Sequence, residues 1–79
     1  SFYYKDKKLD LTSLEFQVMK LFINNPNRIF TRDFLLDRFW DRREKFVNDN
    51  TLTATVKRIR DKSDRDIIKT IRGIGYRMD

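Results

Sequence analysis

Residues 48–62 read NDNTLTATVKRIRDK, and the fold turns on whether this stretch is a strand or a helix. Thr51, Thr53 and Thr55 alternate with Leu52, Ala54 and Val56, the period of a half-buried strand, and the threonines and valine favour that state by propensity. The apolar series continues to Ile59 only at helical spacing, however. Leu52, Val56 and Ile59 stand at i, i+4 and i+7, and Lys57, Arg58 and Arg60 surround Ile59 with charge. The pattern therefore predicts a helix with Leu52, Val56 and Ile59 inward and Asn50, Ala54, Lys57 and Asp61 outward. Thr51, Thr55 and Arg58 are expected to flank that outer face.

A helix with an apolar back, a front of short polar and methyl-bearing side chains, and cations toward its C-terminal half suits the major groove of duplex DNA. Charge points the same way. The chain carries a net charge of +6, and the segment from Lys57 to Arg77 alone has eight cations against three acids, an asymmetry that favours a polyanionic partner. At 79 residues the chain is one domain that buries only about 60–65% of its unfolded surface. Seven Phe, three Tyr and one Trp compensate with large buried area per ring. The absence of Cys and His excludes disulfides, thiolate and imidazole metal sites and imidazole bases, so neither a metal nor a cofactor is expected. No Ser or carboxylate pair stands in a recognisable catalytic spacing, which makes an enzyme the poorest of three readings. There is no run of about 18 apolar residues and no signal-peptide pattern, so a soluble, cytoplasmic protein with no membrane contact is expected. The abrupt start at Ser1 predicts a piece of a longer protein.

In chain order, Phe2-Tyr3-Tyr4 and Leu9-Asp10-Leu11 around Lys5-Asp6-Lys7-Lys8 read as a hairpin, which needs something to pack on and should lean on the first helix. Thr12-Ser13-Leu14-Glu15 is a capping box. The helix it opens carries two apolar stripes, Leu14, Val18, Leu21 and Phe22 on one side and Phe16, Met19 and Ile23 on the other, and is expected to be buried on both. Asn24-Asn25-Pro26-Asn27 ends it. Arg28-Ile29-Phe30 makes one edge strand, and Thr31 caps a second helix with Phe34, Leu35, Phe39 and Trp40 as its apolar residues. A charged loop, Asp41 to Asn48, leads to the third helix in a helix-turn-helix-like relation. After Ser63–Asp66, the segment 67–78 is a β-hairpin with Gly73 and Gly75 where a turn needs positive φ or a close backbone approach.

Three segments together resemble the C-terminal winged-helix effector domain of OmpR/PhoB-type response regulators: Leu11-Thr12-x-x-Glu15-Phe16, Thr31-Arg32 through Trp40, and Thr70-Ile71-Arg72-Gly73-Ile74-Gly75-Tyr76-Arg77. The resemblance covers nearly the whole chain, and the closing Arg-Gly-x-Gly-Tyr is its most specific part. It implies an α+β fold, a winged helix-turn-helix with a three-helix core, a C-terminal hairpin wing and a truncated N-terminal hairpin, over residues 1–79. It implies sequence-specific binding of double-stranded promoter DNA in a two-component system, with residues 48–62 in the major groove and the wing, 67–78, at the minor groove. It also implies further partners: RNA polymerase against the loop Asp41–Val47, a receiver domain and its sensor kinase in the full-length protein, and a second copy placed head-to-tail on DNA. Family members carry a four-stranded sheet before the first helix, whereas about ten residues precede Leu11, room for two strands.

Asn50-Thr51-Leu52-Thr53-Ala54-Thr55-Val56 departs from the common family pattern Arg-Thr-Val-Asp-Val-His-Ile. Short hydroxyls and methyls replace charged groups, which suits thymine methyls or either base type. Thr51, Thr53 and Ala54 are accordingly expected at base edges, against a plain packing or capping role that fits Thr55 well. Asn50 reads adenine or a phosphate, or merely fills the first turn. By resemblance Arg58 contacts base or phosphate, and Lys57 and Arg60 contact phosphates, the bland alternative being a solvated helix face. Arg72, beside a Gly turn, suits a narrow minor groove unless a carboxylate pairs it. Trp40 and Tyr76 are core aromatics with polar tips free for phosphates, and Thr70, on the same hairpin as Tyr76, is a further expected DNA contact. Arg42, Arg43 and Lys45 bind the DNA backbone or, by resemblance and together with Glu44, face RNA polymerase, the bland alternative being an ordinary solvated loop. The competing function is a winged-helix module whose basic face meets an acidic protein.

Overall fold

Thr12 decides where the first helix begins. In the computed structural model, which describes residues 2–79, the Glu15 amide donates to the Thr12 hydroxyl at 3.2 Å and the Thr12 amide to the Glu15 carboxylate at 3.1 Å. The capping box thus opens helix α1, Ser13–Ile23. Asn24 closes it, and Asn27 turns the chain with a left-handed φ of 65°. Only one stripe of α1 is buried, Glu15, Val18, Met19 and Phe22. The expectation of two buried faces is corrected, since Phe16 and Ile23 are exposed. Of the stripe Phe16, Met19 and Ile23, Met19 turns into the core, while Phe16 meets the small N-terminal hairpin, whose Phe2 ring stands edge-on to it at 5.9 Å.

That hairpin pairs β1, Phe2–Tyr4, with β2, Lys7–Leu9, setting Phe2 opposite Leu9. The second strand begins at Lys7 and not at Leu9 as expected. The turn is only Lys5-Asp6, with φ of 50° and 65°, the two positive values of a tight turn whose twist matches its strands.

Strand β3, Ile29–Thr31, is an edge strand, as expected, but its partner was not foreseen. It joins β4, Lys69–Ile71, and β5, Gly75–Arg77, in an antiparallel sheet of order β3-β5-β4. Phe30 faces Tyr76 and Thr31 faces Gly75 across the β3–β5 ladder. The two glycines act differently. Gly73 has a φ of +76°, which the turn requires, whereas a Cβ on Gly75 would strike the Phe30 carbonyl oxygen and lie 2.9 Å from Thr31 Cα. Ile67 and Ile68, expected within the hairpin, lie in the core just before it.

Thr31 also caps helix α2, Arg32–Phe39, accepting from the Phe34 amide at 3.1 Å. Leu35 and Leu36 are its buried residues. Phe34, one of the apolar residues named for this helix, is exposed, for Leu36 takes the inner position and Phe34 stacks on the Phe30 ring at 5.3 Å. Helix α3, Asp49–Lys62, follows an Asn48 cap reinforced by Thr51, whose hydroxyl accepts from the Asn48 amide at 3.1 Å. Residues 51–56 are therefore helical, and the strand alternative is gone. Leu52, Val56 and Ile59 meet Val18, Met19, Phe22, Leu35 and Ile68 in one core. Thr55, expected beside the outer face, is fully buried. Its hydroxyl donates to the Thr51 carbonyl at 2.9 Å, which removes the penalty of an unpaired polar group.

Glu15 ties α1 to α3. Its side chain is 2% exposed, and its carboxylate meets Lys62 Nζ at 2.7 Å and Arg58 Nε at 3.3 Å. Burial pushes the carboxyl up, but the Lys62 and Thr12 hydrogen bonds, with the neighbouring positive charge, hold it below its ordinary value. A depressed folded pKa contributes stability that is complete above the unfolded value of about 4.3 and disappears as pH falls through the folded one. Glu15→Gln is expected to flatten that acid limb of the urea-unfolding profile. Lys62→Met, which leaves the buried carboxylate with less compensation, should destabilise by about 1–3 kcal/mol at pH 7 and by more than Glu15→Gln.

Candidate nucleic-acid interface

Burial of Leu52, Thr55, Val56 and Ile59 fixes what α3 shows to solvent. Asn50, Lys57 and Asp61 are exposed on the outer stripe, with Ala54 half-buried among them. Lys57 Nζ pairs with Asp61 Oδ2 at 2.8 Å, one turn apart. The threonine hydroxyls are engaged. Thr51 Oγ1 donates to the Phe46 carbonyl at 2.9 Å, and Thr53 Oγ1 donates to the Asp49 carbonyl at 3.1 Å. What both residues retain for a partner is chiefly the methyl group.

The two arginines of α3 lie on opposite flanks. Arg58, with a side chain 54% exposed, reaches Glu15 and donates to the Thr55 hydroxyl at 3.1 Å. Arg60 points to the three-stranded sheet, where its Nε donates to the Ile68 carbonyl at 3.0 Å and its Nη2 to the Thr70 hydroxyl at 2.9 Å. Its guanidinium also lies 5.8 Å from the Tyr76 ring centroid, close enough for a cation–π contact. Arg60 is thus a strut between α3 and β4. Tyr76 is buried, and its hydroxyl accepts from Arg32 Nη1 at 2.8 Å. The expectation of a free phenolic tip is corrected, for a buried Tyr takes a protein partner. Trp40 ends α2, half-buried, with its ring edge-on to Phe39 at 6.3 Å.

Arg72 stands at the tip of the β4–β5 turn, closed by the Ile74 amide donating to the Ile71 carbonyl at 2.9 Å. It is exposed and has no hydrogen bond or ion pair among the described residues, so the carboxylate pairing weighed above does not form. In the loop after α2, Arg42 lies 3.3 Å from both Asp33 and Asp37. Arg43 holds Asp41 through two hydrogen bonds of 2.9 Å, which keep the Asp41 carboxyl below its ordinary range. Glu44 and Lys45 are exposed. Phe46, which the sequence reading passed over, is 70% exposed; an aromatic residue alone in a charged inter-helix run was the available signal.

Arg32 was also missed as a site residue. It joins three elements: Nη2 donates to the Asp49 carbonyl at 2.6 Å and to Thr53 Oγ1 at 2.8 Å, Nη1 donates to Tyr76, and its backbone amide donates to the Ile74 carbonyl at 3.3 Å. The sequence did carry a hint. A cation in the first turn of a helix opposes the macrodipole, so an arginine there needs an acceptor elsewhere. Among the described residues there is no His/Cys/Asp/Glu group fit for a metal ion and no helix long and apolar enough to cross a membrane.

Residues 6–78 match the family model described as transcriptional regulatory protein, C terminal. The response regulator protein GraR of Staphylococcus epidermidis is 44% identical over 75 residues, covering 90% of this chain and 33% of that protein. The chain spans about a third of the length of the curated relatives it matches. Among solved structures, the DNA-binding domain of Bacillus subtilis CssR superposes with a TM-score of 0.82 at 32% identity, covering 98% of this chain and 88% of that one. The DNA-binding domain of the response regulator AdeR, in complex with an intercistronic region, gives 0.76 at 27% identity, covering 90% and 74%.

Arg32→Ala should remove the link among α2, α3 and the sheet. The expected loss is about 1–3 kcal/mol in urea unfolding, with faster amide exchange around Tyr76 and in the first turn of α3, where the side chain makes its bonds. Arg32→Lys, which lacks the fork that serves Tyr76 and Thr53 together, should recover less than half of it.

Proposed function

The chain belongs to the family of transcriptional regulatory protein C-terminal domains, and from that premise we propose that residues 1–79 are the DNA-binding effector domain of a two-component response regulator, acting in the cytoplasm. It binds double-stranded promoter DNA sequence-specifically, with α3 in the major groove and the β4–β5 wing at the adjacent minor groove. The observation that carries this reading is the joint tethering of α3 and the wing: Arg32 and Arg60 both lie within 5.8 Å of the Tyr76 ring and bond α3 to the sheet. Helix and wing are thereby held as one unit, with Arg72 exposed at its tip and unpaired among the described residues.

Roles follow from exposure. Asn50, Lys57 and the methyl-bearing Thr51, Thr53 and Ala54 read or line the groove. Arg58 meets a phosphate with the part of its guanidinium that Glu15 does not hold. Arg72 enters the minor groove, where a narrow groove concentrates negative potential. Trp40, Thr70, Arg60 and Tyr76 act at the edges, by phosphate contact or by fixing neighbours. A receiver domain elsewhere in a longer protein would answer a sensor kinase, and copies would sit head-to-tail on repeated sites. RNA polymerase is the proposed partner of the loop with Arg42, Arg43, Glu44 and Lys45; the exposed Phe46 favours a protein contact there, because a solvated aromatic is a natural anchor.

The test is fluorescence anisotropy on a duplex selected from a random pool. Affinity is expected to fall about 10²- to 10³-fold between 50 and 200 mM salt, as several released counterions require. Arg72→Ala should weaken binding about tenfold with an unchanged melting temperature, since the side chain supports nothing in the fold. Unchanged affinity in that variant, or a flat salt response, would favour a basic face that meets an acidic protein.

A further inference from the structure

Charge on the outer stripe of α3 does not accumulate as it does elsewhere in the chain. Lys57 and Asp61 occupy that stripe one turn apart, both exposed, with the ammonium 2.8 Å from the carboxylate. The stripe Asn50, Ala54, Lys57, Asp61 is therefore electrically neutral. The remaining cations of the helix are committed to the flanks, Arg58 and Lys62 to Glu15 and Arg60 to Ile68 and Thr70. Lys57 is the cation on the outer stripe itself, and its counterion belongs to the same stripe.

Building on the DNA-binding reading above, we propose that Asp61 is a specificity-determining residue, a carboxylate that holds Lys57 in reserve and lowers affinity for DNA of the wrong sequence. Non-specific binding comes almost entirely from phosphate charge. A carboxylate on the groove-facing stripe opposes every duplex alike, and it cancels the cation that would otherwise add a phosphate contact. A site that presents a guanine O6/N7 edge to Lys57 offers the ammonium acceptors in place of Asp61 Oδ2. An exposed ion pair exchanges readily for such a partner. Binding at that site recovers the lysine, and binding elsewhere does not.

The experiment compares wild type, Asp61→Asn, Lys57→Gln and the double variant on a selected duplex and on a random one, across salt. Asp61→Asn should raise affinity for random duplex about three- to tenfold and steepen its log–log salt slope by about one unit, with a smaller gain on the selected duplex. In the double variant with Lys57→Gln the gain should shrink to the part that comes from removing the carboxylate's own repulsion. The proposal fails if Asp61→Asn leaves random-duplex affinity and slope unchanged. It fails equally if only the selected duplex weakens, for Asp61 would then be accepting from a cytosine amine. Absence of salt-dependent binding by the wild type to either duplex, with helical circular dichroism intact, would instead overturn the DNA-binding reading itself.

Discussion

Rotation of α3 about its own axis is the freedom this fold has to remove. A helix turns by about 100° per residue, so a slip of one position would bring Lys57 toward the place of Val56 and expose Ile59. Three buried aliphatic residues oppose that slip by apolar area alone. The flanks then pin the angle with directional bonds: Glu15 takes Arg58 and Lys62 on one side, while Ile68, Thr70 and the Arg32 guanidinium hold the other. Hydrophobic burial selects which stripe goes in, and the charged flanks set the orientation to finer tolerance than a smooth apolar contact can.

The helices were legible because each carries its own punctuation. Thr12 with Glu15, Thr31, and Asn48 are caps whose chemistry is local, and Asn24 through Asn27 is a local stop. The strand-like alternation of Thr51 to Val56 gave way because one further apolar residue, Ile59, fell on the helical period. Gly73 and Gly75 were also readable, although the reason for Gly75 lay in a strand more than forty positions earlier. Less legible was anything that depends on how much surface is available to cover a face. Two apolar stripes on α1 do not reveal that Met19 turns into the core while Phe16 and Ile23 stay exposed, and the period on α2 does not separate Phe34 from Leu36.

The site divides in the same way. Exposure of Lys57 and Arg72 followed from spacing and from a turn. The uses of Arg32, Arg60 and Tyr76 did not, since each depends on an acceptor brought in from a distant element. Arg60 reads as a surface cation in any local window, yet the carbonyl of Ile68 and the Tyr76 ring make it part of the frame. Thr55 likewise sits in a polar run but is buried, satisfied by the carbonyl one turn back. Family resemblance placed the elements correctly and could not say which of their side chains were already occupied.

Thr31 belongs to two elements at once. It is the last residue of β3, opposite Gly75, and its hydroxyl caps α2. No slack linker separates the sheet from the helix, so the wing is not a loose flap. A force applied at the tip of the turn is carried along β5 into β3 and then, within one residue, to the first turn of α2 and, through Arg32, to the start of α3. With no linker at that threonine to absorb it, a displacement of the turn would be passed on as torque to the helix beside it.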